Sequence, residues 1–203
     1  MDNRISRRSF VPIVLLAALA VPLGPSSVLA KDEALLRLRA FTVSMPAGKA
    51  GMLNITIERW STQQEIDDLK ALLVEKDEAA LLKALEKIKP RCGFVSTNMS
   101  LGWDLYAAVE RPLPEGAGKK IIIVSNRPMG YWELRGNTRS TDYQFMVTEI
   151  RLDKEGGTKG EGKLAQAVKI KYNPETKAIE LENYGQEPLR LTEVTVDQPK
   201  ARK

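Results

Sequence analysis

The sequence predicts an α+β fold that is predominantly antiparallel β: a curled sheet or barrel-like sandwich with a two-helix hairpin insertion at about 62–89. Three observations carry this expectation. Apolar and polar residues alternate with period two in several segments, helical spacing is confined to one stretch, and the run from Ile121 to Val124 is apolar on both faces. In Gly51 to Trp60, Leu53, Ile55 and Ile57 alternate with Asn54, Thr56 and Glu58, the pattern of a strand with one wet face. Thr62 and Glu65 then stand at capping-box spacing, and Ile66, Leu69, Leu72 and Leu73 recur at helical spacing. Asp77 is placed to cap a second helix carrying Leu81, Leu82, Leu85 and Ile88, which Pro90 stops. Alternation resumes with Trp103, Leu105, Ala107 and Val109, expected on one face. Residues 121–124 should form a central, covered strand. Further on, Leu164, Val168 and Ile170 are expected inward and Lys163, Lys169 and Lys171 outward. Asn173 to Lys177 reads as a turn with a strand returning through Tyr184, and a change of phase between Leu191 and Val194 predicts a bulge. A closed barrel and an open sandwich both fit these strands.

Residues 1–30 read as an export signal. Arg4, Arg7 and Arg8 precede the apolar run Val11 to Leu23, and Val28 and Ala30 occupy the small positions before a cleavage point near Ala30. The run falls short of the roughly 20 residues of a spanning helix, so no membrane span is expected in the mature chain. Ser6 to Val11 resembles the twin-arginine export motif, and a general secretory route is the alternative. The expected destination is the periplasm or the exterior of a bacterium. Residues 31–203 then form one β-rich domain, of ordinary size for a single core. Losing Arg4, Arg7, Arg8 and Asp2 lowers the formal charge from +5 to +3. The remaining charges of both signs are interleaved, which argues against nucleic acid as a partner. Cys92 is the only cysteine, so no disulfide forms within the chain, and its apolar neighbours predict burial.

Histidine is absent, which removes Ser-His-Asp and Cys-His catalysis and any histidine metal site. Gly157, Gly162 and Lys163 match the spacing of a phosphate-cradling loop. Leu164 follows where a magnesium-binding hydroxyl is needed, and the segment alternates like a strand, so the stretch reads as a glycine-rich hairpin loop. Asp153, Glu155 and Glu161 lack the spacing of a calcium loop. Asp104 and Glu110 share a strand face about 20 Å apart, too far for the roughly 5–10 Å of a glycosidase pair. Only acids brought together across strands, such as Asp104, Glu149 or Glu182, leave a carboxylate-dependent hydrolase standing. No cofactor and no metal is expected.

Aromatic and arginine side chains anchor binding surfaces through area and oriented hydrogen bonds. Trp103, on an apolar strand face, is expected in the core. The stretch from Ser125 to Asn137 differs, because Pro128 and Gly130 break the strand and leave large side chains on a rim. The candidate ligand-binding residues are therefore Arg127, Tyr131, Trp132 and Arg135, supported by Trp60 and Tyr184. For Trp60, packing under the helical hairpin is an equal expectation.

"RWST", "GWDLYAAVERPLP", "SNRPMGYWE", "DYQFMVTEIRLD", "GEGKL" and "IELENYGQEPLRL" together resemble a family of small exported bacterial proteins with no assigned activity. The resemblance covers nearly all of residues 31–203 and implies a single exported domain. In such sequences an Asp often stands where Asn126 is, so a catalytic role for that acid would be lost here. The expected function is a non-enzymatic envelope binding module for a small or amphipathic ligand. A structural or protein-interaction domain is the first alternative, and the carboxylate hydrolase the second. The small molecule or protein partner is not identified by the residues.

Overall fold

The computed structural model describes residues 34–44, 49–98, 102–129, 143–153, 159–183 and 187–197. The expected signal and the turn residues 154–158 lie outside the described residues. Strands β1 (Leu36–Ser44) and β2 (Lys49–Ile57) form a hairpin, and helices α1 (Gln63–Glu75) and α2 (Glu78–Lys87) interrupt the path to β3 (Gly93–Thr97). There follow β4 (Trp103–Leu105), β5 (Ala107–Pro112), β6 (Lys119–Ser125) and β7 (Phe145–Leu152). The long β8 (Lys159–Asn173), then β9 (Ala178–Asn183) and β10 (Leu189–Val196) complete the sheet.

All pairings are antiparallel, in the order β4-β3-β2-β1-β10-β8-β7-β6-β5, with β9 on the distal half of β8. The two ends of this order, β4 and β5, are joined in the chain by Tyr106 alone. Val168 pairs with Phe145 on one side and Asn183 on the other, so β9 and β10 run end to end along β8. Merging these two pairs of segments reduces ten strands to eight staves, each bonded to its neighbours in the chain. The sheet is a nearly closed up-and-down barrel rather than an open sandwich, and only the projecting β8–β9 hairpin keeps open edges, since β9 pairs with β8 alone.

Two phase changes give the barrel two cores. Trp103 and Leu105 face the interior with Ala108, whereas Ala107 belongs to the core outside the barrel. The expectation that Trp103, Leu105, Ala107 and Val109 share one face is thus corrected. The cause is Tyr106, whose N–H donates to the Val124 carbonyl at 3.0 Å while the chain changes partner from β3 to β6. One extra residue inverts the alternation. An irregularity in β8 opposite Phe145 to Val147 has the same effect. Leu164 points inward as expected, but Val168 and Ile170 join the outer core. The predicted bulge in β10 is present between Leu191 and Val194, with Glu193 at φ +50°.

The interior is filled by side chains such as Leu38, Ile55, Ile123 and Ile150. Outside, Leu73, Leu81 and Leu85 of the helices cover Phe145 and Val147. Strand β6 serves both cores, Ile121 and Ile123 inward and Ile122 and Val124 outward, as its doubly apolar run predicts. Both predicted helix starts are present: the Thr62–Glu65 capping box is complete, and the Asp77 carboxylate accepts the Ala80 N–H at 2.8 Å. The reading of 157–163 as a loop is corrected from Lys159 onward, since Gly160 and Gly162 lie within β8. A Cβ on Gly160 would meet the Arg151 carbonyl oxygen at 2.0 Å, so this glycine permits the close approach of β8 to β7.

The seam at Tyr106 is testable. Tyr106→Pro deletes the N–H and orphans the Val124 carbonyl, so urea unfolding should report a loss of at least about 1–3 kcal/mol. Tyr106→Phe keeps the backbone bond and should remain within about 0.5 kcal/mol of the parent protein. Equal stability of the two variants would show that the seam does not hold the barrel.

Candidate functional site

The helical hairpin leaves part of the outer face uncovered. A groove of about 420 Å³ runs between it and the β8–β9 hairpin, a volume within the roughly 300–1,000 Å³ of small-ligand clefts. Its floor is Ala107, Val109, Ile122 and Val124 from β5 and β6. Ile66, Leu69 and Leu73, one stripe of α1, form a wall with Leu81 and Leu85 of α2. Ile179 and Leu181 stand opposite, on one face of β9 by its period of two. They are 47% and 44% exposed, unusual for large apolar side chains grouped at one rim. Lys70, Arg111 and Glu149 also line the groove.

The helical wall is held at both ends. Arg59 at the end of β2 donates to both Glu65 carboxylate oxygens at 2.9 and 3.0 Å, and to the Pro90 carbonyl at 2.9 Å. Glu65 therefore closes the α1 cap and ties it to the sheet. The Arg59 hydrogen bonds hold its carboxyl below the usual range. In α2, Glu78 accepts the Ile170 N–H of β8 at 3.0 Å. Burial there pushes the Glu78 carboxyl up.

Of the residues nominated from sequence, the two that are described, Arg127 and Trp60, do not line this groove. Arg127 donates to the Gly102 carbonyl at 2.7 Å, and its guanidinium lies 5.6 Å from the Trp103 ring centroid. Trp103 is in the core, as expected, and its indole N–H donates to the Pro128 carbonyl at 3.2 Å. Trp60 packs, partly buried, against the barrel's interior cluster rather than under the helical hairpin. Tyr131, Trp132, Arg135 and Tyr184 lie outside the described residues. The groove itself was foreshadowed by two signals: the apolar stripe of α1, read as helical spacing, and the alternation of Ile179 and Leu181 with Glu180 and Glu182, in a stretch read as a returning strand.

The nominated acids are each engaged by a cation: Asp104 by Arg91 at 2.5 Å, Glu149 by Arg151 at 2.8 Å, and Glu182 by Lys171 at 2.5 Å. Glu182 also accepts from the Tyr143 hydroxyl, and these partners lower its pKa. A glycosidase acid needs the opposite shift. Among the described residues, no cluster of three or more acids or cysteines is arranged to hold a metal ion. Nor is any helix among them long and apolar enough to cross a membrane. Cys92 is buried as predicted, with its sulfur 3.5 Å from Ser61 Oγ, and burial pushes the thiol up, away from the reactive thiolate. Fold and site together define a small β-barrel with a lateral apolar groove walled by a helical hairpin. No protein family model, curated protein or solved structure matches the chain.

The two anchoring acids should respond to pH with opposite sign. Glu65 lies below its ordinary 4.5, so its contribution is complete above that value and is lost as pH falls through the lowered one. Glu78 lies above the same 4.5, so the native state holds its proton more tightly and stability falls as pH rises through the raised value. In urea titrations from about pH 3 to about pH 7, Glu65→Gln should flatten the acid-side loss of stability. Glu78→Gln keeps an acceptor for Ile170 and should equal or exceed the parent protein near neutrality. A weaker Glu78→Gln protein with an unchanged Glu65→Gln profile would contradict both assignments.

Proposed function

We propose that the chain is an exported, non-enzymatic binding module of the cell envelope that takes a small or amphipathic ligand, and that the lateral groove receives it. The observation that carries this reading is the exposure of Ile179 and Leu181 opposite an apolar helical wall. Covering what remains exposed of these two side chains contributes about 1.5–3 kcal/mol. The walls are anchored by Arg59–Glu65 and Glu78–Ile170, so little ordering cost offsets that gain. The absence of histidine and the paired state of the nominated acids favour binding over hydrolysis.

Nile red, a neutral dye that brightens in apolar surroundings, tests this. The protein should bind it saturably with one site per chain. Replacing Ile179 and Leu181 with Glu should weaken binding by about tenfold or more while leaving the circular dichroism unchanged. Loss of dye binding in Tyr131→Ala or Trp132→Ala protein, with the groove variant unaffected, would move the site to the Arg127–Arg135 edge. No dye uptake by the folded parent protein would leave the protein-interaction reading in its place.

A further inference from the structure

The outer face of the barrel changes character along its strands. Cross-strand register places Ala107, Val124, Val147 and Ala165 in one row, wholly apolar. The next row, about 6–7 Å along, is Val109, Ile122, Glu149, Lys163 and Arg190. The third is Arg111, Lys120, Arg151 and Glu161, wholly charged. The apolar groove thus runs out onto a charged shelf. A second cleft of about 400 Å³, lined by Arg151, Glu161, Lys163 and Arg190, adjoins it through Glu149, which lines both.

The shelf is unbalanced. Arg111, Lys120, Arg151, Lys163 and Arg190, with Lys70 reaching in from α1, are six cations against Glu149 and Glu161. Glu149 is shared by Arg151 at 2.8 Å and Lys120 at 3.9 Å, and Glu161 meets Arg190 at 3.4 Å. Arg111 donates to the neutral Gln63 side chain at 3.1 Å, and Lys70 and Lys163 make no ion pair among the described residues. Apolar side chains at one end and surplus cations at the other match a molecule of the same polarity.

Building on the groove as the binding site, we infer that its occupant is a single-chain amphiphile with an anionic head: an acyl chain in the groove and a phosphate or carboxylate on the Lys70–Arg111 shelf. Arginine forks bind such heads through paired N–H donors. The chain supplies affinity by burial and the shelf supplies the choice of head group.

Displacement of Nile red by three dodecyl compounds, each below its micelle-forming concentration, isolates the head group. Dodecyl phosphate should displace the dye at least about tenfold more tightly than dodecanol, and dodecyltrimethylammonium should be the weakest. Added salt should shrink the phosphate advantage and leave dodecanol unchanged. The double variant Lys70→Gln, Arg111→Gln should bring dodecyl phosphate to the level of dodecanol without altering dodecanol itself. Equal displacement by all three compounds, or a phosphate advantage that survives the double variant, overturns the anionic head while the apolar site stands. A protein that binds neither dye nor amphiphile and sediments as a dimer gives the groove to a second copy, and both readings fall.

Discussion

One chain segment, Trp103 to Pro112, serves as both ends of the sheet, and the rest of the structure depends on how its backbone groups are satisfied. Its first part pairs with β3 and its second with β6. At the change of partner, the Tyr106 N–H finds the Val124 carbonyl and the Leu105 carbonyl accepts from Cys92 N–H at 2.7 Å. Ser61 completes the seam, donating its N–H to the Ala108 carbonyl at 2.8 Å while its hydroxyl accepts the Ala108 N–H at 3.0 Å. Buried peptide groups without partners would be costly. The fully buried Cys92 and the polar Ser61 belong to this closure, which explains their place without any reactive role.

Closure divides the apolar residues between an inside and an outside. An eight-stave barrel has an interior about wide enough for side chains to fill, and here Leu, Ile, Met146 and Trp103 occupy it. Among the described residues, two inward side chains are buried and polar, Ser125 and Thr148, and their hydroxyls find no partner there. The outer face of β5 to β8 remains apolar at one end and needs its own cover. The helical hairpin provides most of it, held by Arg59–Glu65 at α1 and by Glu78 on the Ile170 amide at α2. The groove is the remainder: it lies over β5 and β6, between the helical hairpin and the Ile179 and Leu181 face of β9.

Much of the fold was legible because it rests on local signals. The capping box at Thr62, the cap at Asp77, the doubly apolar Ile121 to Val124 and the phase change before Val194 each act within a few residues. The two misread strand phases share one physical origin. Period-two counting through Trp103 to Val109, and through Leu164 to Ile170, assumes unbroken pairing, whereas each segment carries an extra residue where its partner changes or slips. Gly160 and Gly162 looked like loop residues, because a close approach to β7 has no signature separate from flexibility. Candidate binding residues were sought among large side chains near strand breaks. The groove is instead made of ordinary aliphatic residues, inconspicuous until β5, β6, α1 and β9 are brought together.

The sequence alone determined the α+β class, both helices with their caps, several of the strands by their alternation, and a buried Cys92. Each follows from residues close in the chain, where propensity and periodicity act. Closure of the sheet, the division into two cores, the lateral groove and the row of cations beyond it were decided only by the tertiary structure. They depend on register between strands tens of residues apart, and a shift of one residue in any of them would turn the same side chains to the opposite face.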